Sequence, residues 1–128
     1  MSEYGLRKII LDDMDPEQIN STMKRRIITG EKLTVAQIWL EKGTVVPVHT
    51  HHNEQITQVI TGKMEFILGG DNGIDGEKMI VSAGELIVLP AHLPHGALVL
   101  EDTESWDFFS PQRSDWLDGS DQYLRDMD

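Results

Sequence analysis

The chain has 128 residues, 39% of them hydrophobic and 26% charged, which suits one soluble domain around one core. Its formal net charge of −11 sets it against nucleic-acid backbones and anionic membrane surfaces as partners. It has no cysteine, which excludes disulfides, thiolate metal sites and cysteine nucleophiles. No apolar run approaches the ~20 residues that span a bilayer, and the opening MSEYGLRKII lacks the apolar stretch of a secretory signal, so a cytoplasmic protein is expected.

In chain order, Asp13-Met14-Asp15-Pro16-Glu17 reads as the start of a short helical turn, with an acidic cap and proline in the first turn. Lys24-Arg25-Arg26 is the one basic cluster and reads as solvated surface, with Arg26 a possible pocket residue. Strand signals follow: Ile27-Ile28, Leu33 to Leu40, Val45 to His49 and Ile56 to Thr61. Gly62-Lys63 reads as a tight turn that makes a hairpin of Ile56–Thr61 and Met64–Leu68. Gly69 to Glu77 is a loop. Lys78–Ser82, Glu85–Leu89, Gly96–Leu100 and Glu104–Phe109 are further short strands, the last two separated by a turn at Glu101-Asp102-Thr103. About eight short strands with turns between them predict an all-β sandwich or barrel. The division expected is an N-terminal arm over residues 1–25, one barrel domain over 26–113, and an acidic tail over 114–128 that packs on the barrel.

The stretch GTVVPVHTHHNEQITQVITG, Gly43 to Gly62, holds three of the five histidines. Residues two apart on a strand face one side, so His49 and His51 point together and His52 points away. Gln55 shares their side if the extended path continues. Neutral imidazoles are common ligands of divalent cations, but His-x-His alone is equally compatible with exposed surface histidines. A second segment tips the balance. GELIVLPAHLPHGALV, Gly84 to Val99, turns at Pro90 and presents His92 and His95, and a third imidazole from a later strand could complete a site inside a barrel. Glu54 has the parity of His52 and stands as a reserve ligand. His92 reads as a rim or turn residue.

These two segments resemble the cupin family. Its first motif is Gly, five residues, His-x-His, three or four residues, Glu, six residues, Gly, and here Gly43, His49, His51, Gln55 and Gly62 take those places with glutamine for glutamate. In its second motif Gly84, Pro90 and His95 match, while His92 stands at a glycine and Val99 at an asparagine. The resemblance implies a double-stranded β-helix, the jelly-roll barrel, with His49, His51, Gln55 and His95 as metal ligands. Zinc, nickel, iron(II), cobalt and manganese all suit such donors. Four neutral ligands leave a divalent ion more positive than a glutamate-containing set would, which strengthens it as a Lewis acid and disfavours a trivalent iron state.

Further on, LEDTESWDFFSPQRSDW places Asp107 and Phe109 on one face of a strand and Trp106 and Phe108 on the other. Parity leaves open which pair faces inward. A carboxylate facing an apolar interior costs several kcal/mol unless it is paired or functional. His-x-His-x-x-Glu-Gln, Pro-His, Glu-Asp-Thr and Asp-x-Phe-Ser-Pro-x-Arg-x-Asp-Trp together look like the KdgF-type cupins, small proteins of pectin and alginate degradation. That resemblance, from about Arg26 to Arg125, implies functional roles for Asp107, Phe109 and Arg113 and action on 4,5-unsaturated monouronates, opening the ring and ketonising it. In that reading Asp107 moves a proton, Arg113 clamps the substrate carboxylate as a fork and Phe109 stacks on the ring. Two other functions are open: an iron(II) cupin dioxygenase, and a binding module without catalysis. The expected partners are a small anionic substrate and a second copy of the chain. The homodimer is expected because the Leu33–Leu40 strand is largely apolar on both faces.

Overall fold

The computed structural model describes residues 4–127. Eight strands run β1 (Glu17–Asn20), β2 (Met23–Thr29), β3 (Thr34–Leu40), β4 (Val45–His49), β5 (Glu54–Leu68), β6 (Glu77–Ser82), β7 (Leu86–Leu89) and β8 (His95–Ser110), all paired antiparallel. Two short helices, α1 (Ser114–Asp118) and α2 (Gln122–Arg125), close the chain.

Two long strands organise the barrel. The first half of β5, Gln55 to Val59, lies against Ser105–Phe109 of β8, and its second half, Met64 to Leu68, lies against His95–Val99. The first halves of this ladder carry β7 on one side and β3, β2 and β1 on the other. The second halves carry β6 and β4. Each long strand therefore passes from one sheet to the other, which is how a jelly roll closes its corners.

The crossing lies at Gly62, where the β5–β8 register slips repeatedly between Val59 and Met64. Gly62 has φ +93°, and a Cβ there would sit 2.3 Å from the Asp102 carbonyl oxygen, so a side chain is excluded twice over. The hairpin expected at Gly62-Lys63 and the turn expected at Glu101–Thr103 are thus facing irregularities inside continuous strands. A bulge and a turn use the same local residues, and only the strand opposite distinguishes them.

The N-terminus differs too. A single 3₁₀ turn covers Leu11–Asp13, and no helix starts at Pro16. Glu17 already pairs with Arg25, so the sheet begins ahead of the Arg26 boundary expected from sequence. The core is formed by the inward side chains of both sheets, including Ala36, Ile38, Val59, Phe66, Leu89 and Val99, together with Trp116 and Leu124 from the tail. Among the described residues no helix is long and apolar enough to cross a membrane.

Candidate metal and substrate site

His49 ends β4 and pairs with His95, which begins β8. The strand does not continue to His51. Instead a short loop brings that ring back, held by Asn53, whose side chain donates to the carbonyls of Pro111 (2.5 Å) and Gln112 (3.1 Å). The His92 N–H also donates to the His51 carbonyl, at 2.9 Å. His92 has φ +67°, which explains why the cupin motif places glycine at that position, and its side chain is exposed. His52 and Glu54 are exposed as well, although His52 lies in this loop and not on a strand.

The three site histidines offer nitrogens that all lie within 4.8 Å of one another. Each ring has its Nδ1 beside a backbone carbonyl: Pro47 for His49 (2.7 Å), Asn53 for His51 (3.0 Å) and Leu93 for His95 (2.8 Å). A carbonyl only accepts, so Nδ1 carries the hydrogen and Nε2 keeps its lone pair in each neutral ring. Burial holds the rings neutral, pushing His49 down to about 3 and His51 down to about 4, and it lowers His95 too. Three Nε2 lone pairs therefore face one small region.

Two contacts show that this region fits a cation. Buried His95 Nε2 has no hydrogen-bond partner. His51 Nε2 lies 3.0 Å from Gln55 Oε1, two acceptors face to face, while the Gln55 NH₂ is turned away to Thr57 Oγ1 at 2.8 Å. A positive ion satisfies all of these lone pairs, whereas a protein-only site leaves them opposed.

Asp107 faces inward and is 8% exposed, with Trp106 and Phe108 on the outer side. Its Oδ1 accepts from the Thr57 hydroxyl at 2.6 Å. Burial pushes the carboxyl up to about 6, opposed by the Thr57 hydrogen bond and by the Arg113 charge. Phe109 is 1% exposed, in T-shaped contact with His51 and Trp116, and the Arg113 guanidinium lies over its ring at 4.7 Å. It is a wall of the site, and its ring is covered.

Arg113 departs from the expected substrate fork. Its Nε and Nη2 grip Asp115 at 2.9 and 2.8 Å, and Nη2 also reaches the Tyr123 hydroxyl at 3.0 Å. The fork is filled from within the chain because Asp115 lies on the first turn of α1, two residues away. Arg26 is not in the site either. It lies over Trp39 and bonds the Met14 carbonyl and Gln37, on the outer face of β2.

The parts played by Thr57, Tyr123, Trp116, Arg25 and Asp121 were not expected from the sequence. Thr57 bridges Gln55 and Asp107. Tyr123 stacks on His49, with centroids 4.6 Å apart, and Trp116 donates to its hydroxyl. Arg25, read as surface, is 1% exposed and pairs with fully buried Asp121 at 2.5 Å. Its guanidinium and that of Arg113 each lie 4.5 Å from the Trp116 ring. For Thr57 the signal was present, since it lies two residues beyond Gln55 on one strand face. For Arg25 and Tyr123 it was not, because nothing local shows that the tail returns over the barrel mouth. With the tail seated, a cavity of about 50 Å³ remains between these residues.

A cupin domain match covers residues 38–105. The chain belongs to the cupin family. KdgF from Halomonas sp. is 33% identical to this cupin over 84% of this chain and 96% of that one, with a TM-score of 0.73. An RmlC-like cupin from Shewanella frigidimarina NCIMB 400 is 28% identical over 84% and 93%, with a TM-score of 0.75. Oxalate decarboxylase from Bacillus subtilis, at 22% identity and a TM-score of 0.69, shares the fold over 83% of this chain and 31% of its own. No curated protein matches the chain significantly.

Proposed function

We propose that this cupin is a metal-dependent, non-redox enzyme that opens and ketonises a 4,5-unsaturated uronate or a closely related sugar acid. His49, His51, Gln55 and His95 would hold a divalent transition ion, whose bound form supplies Lewis acidity toward a substrate oxygen. The observation that carries the reading is Asp107. It is a buried carboxylate with a hydroxyl partner and no ion-paired cation, its pKa is raised to about 6, and it lies on the inner wall one hydrogen-bonded residue from Gln55. Such a group moves protons near neutrality. The 33% identity to Halomonas KdgF and the motif resemblance to KdgF-type cupins supply the substrate class.

The chain's own residues divide the remaining work. Asp107 exchanges the proton that ketonisation needs. Arg113 supplies positive charge above Phe109, and a substrate carboxylate meets it through Nη1, which forms no hydrogen bond among the described residues. The cavity of about 50 Å³ is far below the roughly 300–1,000 Å³ of small-molecule sites, so a sugar acid enters with the tail lifted. Gly119, in the left-handed conformation between α1 and α2, is the break about which the tail divides. Incubating metal-loaded protein with a 4,5-unsaturated monouronate and following its conjugated ultraviolet absorbance tests the reading. Catalysed loss of absorbance is expected, and decay at the uncatalysed rate would overturn it.

The same proposal includes a homodimer in the cytoplasm. Val35, Phe108, Ile56 and Val88 stand in one register row on the outer face of β3, β8, β5 and β7, with Leu86 and Val88 58% and 59% exposed. A sheet face this apolar needs a cover. Sedimentation at micromolar concentration should give twice the mass of one chain, and Val88→Asp should return the monomer. A monomeric wild-type protein would contradict it.

A further inference from the structure

Thr57 is 2% exposed and has one hydroxyl hydrogen, and two site residues compete for it. Asp107 Oδ1 lies 2.6 Å away and Gln55 lies 2.8 Å away on the other side. An ionised Asp107 only accepts, so the hydrogen goes to it. The Thr57 oxygen then presents a lone pair to Gln55, which must answer with its NH₂. The Gln55 oxygen is thereby turned toward His51.

The opposite amide orientation is locally attractive without a metal. It would let the NH₂ donate to the His51 Nε2 lone pair and the oxygen accept from Thr57. It would also leave the buried Asp107 carboxylate facing a Thr57 lone pair at 2.6 Å. The carboxylate therefore selects the amide orientation through one intervening hydroxyl.

We infer that Thr57 is a positioning residue: it relays the charge of Asp107 into the orientation of Gln55 and so commits that amide to act as an oxygen ligand. The inference rests on the metal assignment proposed above, but not on the substrate. It also gives Asp107 a second task, since the group that exchanges protons with substrate also holds the ligand set in order. Binding of the ion and ionisation of Asp107 then favour one another, as linkage requires.

The test compares Thr57→Val, which keeps the shape and removes the hydroxyl, with Thr57→Ser, which keeps the hydroxyl. Cobalt(II) affinity is measured by competition with a chromophoric chelator, and the visible spectrum of the bound ion reports its ligands. Melting of the metal-free proteins confirms folding. Thr57→Val should bind cobalt 10–100-fold more weakly, the usual effect of losing a residue that orients a ligand, with an altered spectrum. Thr57→Ser should lie within about threefold of wild type, as expected when the orienting hydroxyl is kept. If Thr57→Val fails to fold, Thr57→Ser carries the test alone, and weakening as large as tenfold there would count against the inference. Equal cobalt affinity and spectrum in Thr57→Val and wild type would overturn it, as would a wild-type protein that binds no ion. Cobalt binding with the expected Thr57→Val loss, but no turnover of unsaturated uronates, would remove the substrate reading and leave this one standing.

Discussion

Two aspartates lie deep in this molecule and they are treated in opposite ways. Asp121, in the tail, is fully buried and meets Arg25 at 2.5 Å and Arg125 at 3.0 Å. Asp107, inside the barrel, meets one threonine hydroxyl. A buried carboxylate with its cation beside it is a fastening, and Asp121 fastens the tail to β2. A buried carboxylate given only a hydroxyl is kept reactive, because nothing offsets its desolvation in full and its proton stays exchangeable near neutral pH. The difference separates a carboxylate that fastens the tail from one that would exchange a proton in the proposed reaction.

The comparison breaks most sharply on catalysis. Asp107→Asn should lower turnover of an unsaturated uronate by about 10²–10⁴, the usual contribution of a positioned acid or base, while leaving the fold intact. Initial rates with the metal-loaded variant check this. Asp121→Ala should do the reverse. It strands the Arg25 charge in the interior and costs about 3–5 kcal/mol in urea unfolding.

A smaller effect carries a sign that sharpens the contrast. Asp107 has a folded pKa of about 6, above its ordinary 3.8, so the folded state holds its proton more tightly than the unfolded chain does. Stability from this group is present below about pH 4 and is lost as pH rises through about 6. Asp107→Asn in the metal-free protein should therefore gain up to about 3 kcal/mol over wild type at pH 8 and little at pH 4. Parallel urea titrations at the two pH values give the comparison. Smallest is Tyr123→Phe, which removes the acceptor of Arg113 and Trp116 and should cost about 1 kcal/mol of thermal stability.

The barrel was largely legible because alternation is a local signal. The alternation along β3 and β5, which turns Gln55 and Thr57 to one side, follows from period-two geometry, whereas His51 and His52 lie in the loop between strands and their facing does not. Asp107 was only half legible. Parity paired it with Phe109, but its inward side depends on β3 and β5 flanking β8 together, a non-local fact. The bend at Gly62 was misread for a related reason, since the residues that make it a bulge, Asp102 and Thr103, lie on another strand. The cap was the least legible part. In Lys24-Arg25-Arg26 the middle residue points inward, and a buried arginine there makes sense only once Asp121 and Trp116 arrive from the far end of the chain. The pairing of Arg113 Nε and Nη2 with Asp115 was equally illegible, because it depends on the chain turning into α1.

The proposed chemistry depends on three imidazoles and one amide oxygen facing the same ion. The metal content of the protein, after equilibration with a divalent transition ion and removal of excess, measures this directly, with His95→Ala as the paired sample. One equivalent per chain in the wild type and its loss in the variant is the predicted result. A wild type without bound metal, or a His95→Ala protein that retains a full equivalent, would contradict the account.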